Sequence, residues 1–234
     1  MTLALVILLI SIFAVARLVL LIKTDHSKKE PVLMLWMAAG LGAIALNAAS
    51  ILEFLLIPNQ ILFAVQDGIA TLPQALYASG IIGVVEELCK FLPLMILIHR
   101  KHFFNEFTDG IIYFAIAGQT FGLLEDINYT ISHGEQAGIA RLFITPFFHM
   151  GTTAIIGFFL ARHKILKKTS WLSVLFPLIF VILAHVIYDF GLLSGRPEMT
   201  VISLAITGFI TVAVIGLLLH AHHLDKKMHL SDFK

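Results

Sequence analysis

Three ionisable residues interrupt an apolar run in the stretch "VVEELCKF", Val84–Phe91. Glu86 lies four residues before Lys90 and Glu87 lies three before it, so on a helix both carboxylates can reach the ammonium group. A lysine beside two glutamates can keep one carboxylate ionised in a low-dielectric environment. An ionised carboxylate of this kind can act as a general base towards water or as a metal ligand.

Two further stretches bring polar groups together at i,i+4 spacing. "AHVIYDF" places His185 and Asp189 one helical turn apart, and a carboxylate in that position orients the imidazole and stabilises its charged form. "FGLLEDINYT" places Glu125 and Tyr129 on one helix face with Asn128 beside them. These residues are therefore candidates for supporting roles around a reaction centre.

A third histidine-containing stretch, "FFHMGTTAIIG", places His149 four residues before Thr153. The small residues that surround this pair permit close packing of helices. Since four separate segments each carry such a pair, catalysis explains the pattern better than structural polar contacts alone.

The composition says where these residues lie. The chain has 234 residues, of which 59% are hydrophobic and 13% charged; a soluble domain carries about 25% charged residues. Most of the surface must therefore face lipid, and residues 1–234 are interpreted as one integral membrane domain. The sequence has no charge run or low-complexity tract that would indicate nucleic-acid binding, and the single Cys89 excludes an intramolecular disulfide.

Seven segments are long and apolar enough to cross a bilayer core of about 30 Å as helices. The sequence thus predicts an all-α polytopic membrane protein with a catalytic core at about residues 72–193. The first segment is interpreted as a transmembrane helix rather than a cleaved signal, and Asn59–Thr71 as an interfacial helix or a re-entrant loop. Pro93, Pro146 and Pro177 predict kinks inside segments. The segments are Leu3–Ile22, Val32–Ile57, Leu72–Ile98, Thr108–Ile131, Gly138–Arg162, Trp171–Leu193 and Thr200–His220.

Basic residues predict the orientation. Twelve of the sixteen Lys and Arg residues fall in loops on one side of the predicted helices, and the opposite loops hold only Arg141 and Arg196. By the positive-inside rule the N-terminus is expected outside and the C-terminus in the cytoplasm. Arg17 and Lys90 lie within helices. We expect Arg17 to snorkel along its helix or to pair with Glu53, with the pair favoured.

An acidic or basic residue at the centre of a membrane helix costs roughly 2.5–3.5 kcal/mol on insertion scales. Such residues usually face the bundle interior and have a function. We expect Asp126 to lie near the interface or in a packing hydrogen bond. The remaining intramembrane groups are expected to converge on one site.

These motifs, in this order, resemble those of the PrsW family of polytopic intramembrane proteases, which is distantly related to the CAAX prenyl endopeptidases. The matching stretches are "EELCK" (Glu86–Lys90), "EDINY" (Glu125–Tyr129), "HMGTT" with His149, and "HVIYD" (His185–Asp189). Asp126 departs from the asparagine expected in the second stretch. The resemblance implies a hydrolase of the cell membrane that cleaves a peptide bond in a membrane-anchored protein substrate.

The roles that fit this activity are as follows. Glu86 is favoured as general base, with Glu87 and Lys90 tuning its charge. His185, supported by Asp189, donates to the developing oxyanion. His149 and Glu125 position water or assist proton transfer, and Asn128, Tyr129 and Thr153 are supporting residues.

Metal dependence stays open. Glu86, His149 and His185 are a plausible zinc set, but Lys90 repels a cation and no HExxH motif occurs, so glutamate chemistry without a cofactor is favoured. Two other classes also remain. A proton-coupled transporter uses similar groups but usually shows repeats, and a non-catalytic scaffold would bind a partner's helix. The substrate's identity and the oligomeric state stay open.

Overall fold

A computed structural model describes residues 2–23, 30–142, 144–167 and 169–231, and nine helices follow one another along them. No strand occurs within these ranges, so the all-α prediction is confirmed. The helices are α1 (Leu3–Lys23), α2 (Val32–Leu56), α3 (Asn59–Gln66), α4 (Leu72–Leu97), α5 (Phe107–His133), α6 (Glu135–Arg141), α7 (Thr145–Leu166), α8 (Leu172–Leu193) and α9 (Pro197–Ser231).

The predicted segment Gly138–Arg162 is wrong as a single helix. It consists of the end of α6 and most of α7, which are bent by 41° relative to each other. Pro146 lies in the first turn of α7 and not at an internal kink, because proline has no N–H to donate and the first helical turn does not need one. Pro93 and Pro177 do lie inside helices, in α4 and α8.

Among the described residues, five helices are long and apolar enough to cross a membrane, namely α1, α2, α5, α8 and α9, and the bent pair α6–α7 makes a sixth. Helix α4 has 26 residues, which is sufficient length, but its three charged residues make it less apolar. Seven crossings therefore stay a prediction. So does the orientation, because Lys28, Lys29, Lys168 and Lys234, on which it partly depends, lie outside the described residues.

Helix α5 is the centre of the fold and packs against α7, α2 and α1. Glycines set the distance between α5 and α7. A Cβ atom on Gly110 would lie 2.1 Å from the backbone oxygen of Gly157, and one on Gly157 would lie 2.1 Å from the backbone oxygen of Gly110. The two backbones are therefore in direct contact, as in helix pairs that pack through small residues.

Helix α9 extends well past the predicted end at His220. Its 35 residues span about 50 Å, so its last turns project beyond the apolar layer. There Asp225 accepts hydrogen bonds from the backbone N–H groups of Phe107 (2.7 Å) and Thr108 (3.0 Å). The C-terminal helix thereby caps the N-terminus of α5, whose first N–H groups have no partner within the helix.

Candidate active site

Helix α4 carries the first half of the site. A capping box between Thr71 and Gln74 begins this helix. Four to five turns further on, Lys90 Nζ lies 2.9 Å from Glu87 Oε1 and 3.3 Å from Glu86 Oε2. All three side chains are buried, with exposed fractions of 6% or less. A buried ammonium needs such partners, since neither the ammonium nor the carboxylates are solvated by water here.

Helix α7 contributes His149, whose two ring nitrogens have different partners. Nε2 lies 2.7 Å from Glu125 Oε2 on α5, while Nδ1 lies 2.9 Å from Lys90 Nζ and 3.7 Å from Glu86 Oε2. If Nε2 donates to the carboxylate, Nδ1 carries the lone pair and faces Glu86. The backbone fixes this ring closely, since a Cβ on Gly118 of α5 would lie 2.3 Å from the carbonyl oxygen of His149.

Helix α8 contributes His185 with the reverse assignment of nitrogens. Nδ1 lies 2.7 Å from Glu87 Oε1, and Nε2 lies 3.5 Å from Glu86 Oε2 and 3.3 Å from Asp189 Oδ2. The Glu87 carboxylate accepts from Nδ1–H, so the Nε2 lone pair faces Glu86. Asp189 lies close to His185, as their spacing predicts, but its Oδ2 accepts no hydrogen bond from the described residues, and it is Glu87 that orients the ring.

One donor atom each from Glu86, His149 and His185 lies within 4.8 Å of the others. Tetrahedral zinc with bonds of about 2.0–2.1 Å holds its ligand atoms about 3.4 Å apart, close to the 3.5 Å and 3.7 Å between Glu86 Oε2 and the two histidine nitrogens. Both histidines also contact a second carboxylate, as is usual for metal-binding histidines. Glu86 Oε2 has no hydrogen-bond partner. The residues therefore fit a metal ion.

Lys90 is the feature that a metal must accommodate. Its ammonium lies against His149 Nδ1, and a metal ion would need the same lone pair. Glu87 Oε1 is an equally close partner at 2.9 Å, and the ring of Phe121 lies 4.3 Å below Nζ. The ammonium can therefore release Nδ1 and remain paired.

Three of the predicted supporting residues make no hydrogen bond, among the described residues, to the side chains of Glu86, His149 or His185. Asn128 is exposed. Tyr129 is 38% exposed, stacks on His133 and lies with its ring centre 4.4 Å from the guanidinium of Arg141. The hydroxyl of Thr153 donates to the backbone oxygen of its own helix at His149, at 2.8 Å. The spacing of Asn128 and Tyr129 after Glu125 does not bring them inward, because the end of α5 lies beside the short helix α6.

Arg141, at the end of α6, is the residue that the sequence analysis missed. Its guanidinium lies 2.5 Å from Glu125 Oε1 and 2.8 Å from Asp126 Oδ1. It therefore holds the carboxylate that contacts His149, and Asp126 is in a packing ion pair. The sequence does contain a signal for it, because Arg141 is one of only two basic residues in the sparsely charged loops. That signal indicates the orientation of the chain in the membrane as well, and only this second meaning was drawn from it.

The predicted pair between Arg17 and Glu53 is wrong. Arg17 Nε donates to Gln119 Oε1 at 2.9 Å, because α1 packs on α5 near this side chain. Glu53 instead interacts electrostatically with Glu125, Asp189 and Lys90, and its Oε1 is buried without a hydrogen-bond partner. It is therefore an additional carboxylate at the edge of the site.

Thr152 is a smaller addition, since its hydroxyl lies 3.2 Å from Glu87 Oε1. Nothing in the sequence distinguishes Thr152 from Thr153, because both lie within one turn of His149. The helix phase that turns Thr152 towards α4 is set by the glycine contacts between α5 and α7.

Comparisons with known proteins identify the family of this chain. The family model described as PrsW family intramembrane metalloprotease matches residues 30–219. Protease PrsW of Bacillus subtilis is 32% identical over 111 residues, which is 46% of this chain and 50% of that protein. Protease PrsW of Geobacillus kaustophilus is 29% identical over 48% of this chain and 50% of its own. The chain thus spans about half the length of these curated relatives.

A longer match is found in Clostridioides difficile, whose Protease PrsW is 30% identical over 181 residues, 72% of this chain and 71% of that protein. No solved structure matches the chain. Because the family model covers well over half of the sequence, including all four helices that carry the cluster, the chain belongs to the PrsW family of intramembrane metalloproteases.

Proposed function

We propose that this chain is an intramembrane endopeptidase in which Glu86, His149 and His185 hold a divalent metal ion, with zinc as the first candidate. The observation that carries the proposal is the convergence of three donors from α4, α7 and α8 within 4.8 Å in a buried interior. The family's description as metalloprotease favours this chemistry over the metal-free alternative. Zinc, when bound, would act as a Lewis acid and lower the pKa of water to about 7.

Asp189 is the best placed general base in this scheme. Its Oδ2 lies 3.3 Å from His185 Nε2, on the side that faces Glu86, and has no hydrogen-bond partner. Asp189 takes a proton from water as the water oxygen attacks the carbonyl carbon of the peptide. It returns that proton to the amide nitrogen as the carbon–nitrogen bond breaks.

The other charged residues position the donors. Glu87 orients His185 through Nδ1, and Glu125 orients His149 through Nε2. Arg141 in turn holds Glu125. Metal sites commonly depend on such outer partners, whose removal costs about 10–100-fold in metal affinity or activity.

A single-pass membrane-anchored protein is the proposed substrate. A buried site that is surrounded by apolar helices can receive a peptide segment that already lies in the bilayer. Under the predicted orientation the cluster occupies the middle and outer part of the membrane, and cleavage near the non-cytoplasmic end of the substrate helix follows. This position argues against processing of prenylated tails, which lie at the cytoplasmic face.

A reconstituted cleavage assay tests the proposal. The full chain is purified, incorporated into vesicles with candidate single-pass substrates, and compared with Glu86→Gln and with the control Glu198→Gln, whose carboxylate is exposed on α9. Cleavage should be lost in Glu86→Gln and retained in the control. Metal analysis of the active protein should find about one zinc per chain.

The same cleavage assay, repeated after prolonged chelation, separates the metal-dependent scheme from the metal-free alternative. Activity that survives prolonged chelation, in protein without stoichiometric metal, would restore Glu86 as the general base in a metal-free reaction. Equal cleavage by Glu86→Gln and wild type would contradict both schemes.

A further inference from the structure

A basic pocket lies at one end of the bundle, away from the candidate active site. Its volume is about 370 Å³, and it is formed by the connection between α4 and α5 together with the end of α7. No acidic side chain occurs among the described residues that line it. The lining residues are Arg100, Lys101, His102, Phe104, Asn105, Lys164, Ile165 and Lys167.

One charge in this pocket, Lys164, is held in place. The lining residues carry no carboxylate, and Asp109, which accepts from the backbone of Asn105 behind them, interacts electrostatically with Lys164. Lys164 Nζ donates to the backbone oxygen of Lys101 at 2.6 Å and lies 5.3 Å from the centre of the Phe104 ring. The pKa of nearby His99 is lowered to about 4, first by burial and then by the charges of Lys164, His163 and Arg100. The second cause is consistent with a positive potential at this end of the bundle. An anion is therefore the complementary ligand.

An apolar crevice of about 280 Å³ lies between α4 and α8. His99 links it to the pocket, since the His99 ring lies 6.3 Å from Trp171 of the crevice and 6.1 Å from Phe104 of the pocket. Ser170, three residues after Lys167, lies at the rim of the crevice, and Phe91 and Leu178 line it within the helices. Trp171, also at the rim, is 53% exposed and lies 4.3 Å from the ring of His163. Exposed tryptophans are typical of the interface between membrane and water. The pocket is thus at head-group level and the crevice at the level of the acyl chains.

We propose that the pocket and the crevice together bind one anionic phospholipid, with its phosphate among Arg100, Lys101, Lys164 and Lys167 and an acyl chain against Phe91. Basic pockets between membrane helices bind such head groups. The adjoining crevice favours a lipid over free phosphate, because a phosphate ion has no group that could fill it. Since Phe91 follows Lys90 directly, the lipid would contact the helix that carries half of the candidate active site.

Native mass spectrometry of the full chain in detergent tests this proposal. Wild type is titrated with dioleoylphosphatidylglycerol and, separately, with dioleoylphosphatidylcholine. The pocket variant Arg100→Gln/Lys167→Gln removes two exposed charges. The matched control Lys226→Gln/Lys227→Gln removes two exposed charges from α9, at the same end of the bundle.

We expect one phosphatidylglycerol to bind wild type and the control with equal affinity, and to bind the pocket variant about thirtyfold more weakly. Phosphatidylcholine should bind all three proteins weakly. If the affinity for phosphatidylglycerol fell equally in the pocket variant and in the control, the binding would depend on general surface charge, and the proposal would be overturned. So would equal affinity of the pocket variant and wild type. Far-ultraviolet circular dichroism and elution volume verify that the variants are folded.

Competition distinguishes the lipid from a free anion. Inorganic phosphate and glycerol 1-phosphate at 10 mM should leave the bound phosphatidylglycerol in place, because neither can occupy the crevice. Displacement by either compound at that concentration would identify the pocket as a site for free anions and would overturn the assignment to a lipid.

Discussion

The carboxylate of Glu87 and the imidazole of His185 are 2.7 Å apart, although 98 residues separate them in the chain. This contact joins α4 to α8 and determines which nitrogen of His185 faces Glu86. Since the same carboxylate oxygen also accepts from Lys90 at 2.9 Å, Glu87 connects the charge on α4 with the orientation of the histidine.

Replacing Glu87 with glutamine should therefore weaken metal binding without removing a ligand. The amide keeps the size of the side chain but not the charge that holds His185 Nδ1–H. We expect zinc affinity to fall about 10–100-fold, measured by competition with a zinc chelator of known affinity. Glu198→Gln is the control, and an unchanged zinc affinity in Glu87→Gln would contradict the role of Glu87.

Arg141→Gln should lower kcat/KM about tenfold or more, because Glu125 loses the guanidinium that holds it against His149. Arg141→Lys should recover part of the activity, since a positive charge returns without the two-pronged contact. Arg196→Gln, in the other sparsely charged loop, serves as control. If the lysine variant is no more active than the glutamine variant while both melt at the wild-type temperature, the charge of Arg141 is not what matters.

Gly118→Ala should displace α7 and lower both stability and activity. The new methyl group would lie 2.3 Å from the backbone oxygen of His149 and 2.7 Å from Thr153 Oγ1. Overpacking of this kind costs about 1–3 kcal/mol, which thermal unfolding in detergent can measure. Gly40→Ala is the matched control, because nothing lies within 4 Å of its added Cβ. Identical melting temperatures for the two variants would contradict the close contact between α5 and α7.

Labelling of single cysteines tests the predicted orientation. In a Cys89→Ser background, Asn128→Cys at the exposed end of α5 should react with a membrane-impermeant thiol reagent added outside intact spheroplasts. Lys226→Cys, on the extension of α9, should react only after permeabilisation. The opposite pattern would place the C-terminus outside and would reverse the expected position of the cleavage site.

Much of the fold could be predicted, because an apolar run of about 20 residues has few alternatives to a membrane helix. Family membership, inferred from four short motifs, and location in the membrane, inferred from composition and the apolar segments, are confirmed by the comparisons. The break between α6 and α7 was missed because hydropathy continues across it. The cap on α5 by Asp225 was missed because a contact across 117 residues leaves no local pattern.

The candidate site was predictable to the extent that helix spacing determines it. Glu86 and Lys90 contact each other because they are one turn apart, and the same is true of His185 and Asp189. Arg141 has no such neighbour in sequence, since its partners lie 15 and 16 residues away. Its role depends on the turn at Gly134, where a φ of 88° reverses the chain after α5.

The ion pairs of Lys90 with Glu86 and Glu87, all within α4, also affect how the chain enters the membrane. Helix α4 is synthesised before α7 and α8, so neither His149 nor His185 exists when it first meets the lipid. In the folded protein both carboxylates of this helix lie within 3.3 Å of Lys90, and these contacts within one helix do not depend on the later helices. The segment can therefore enter with one net negative charge in place of two separate negative charges and one positive charge. The nascent helix thus carries its own counterion and can remain inserted in the bilayer before α7 and α8 pack against it.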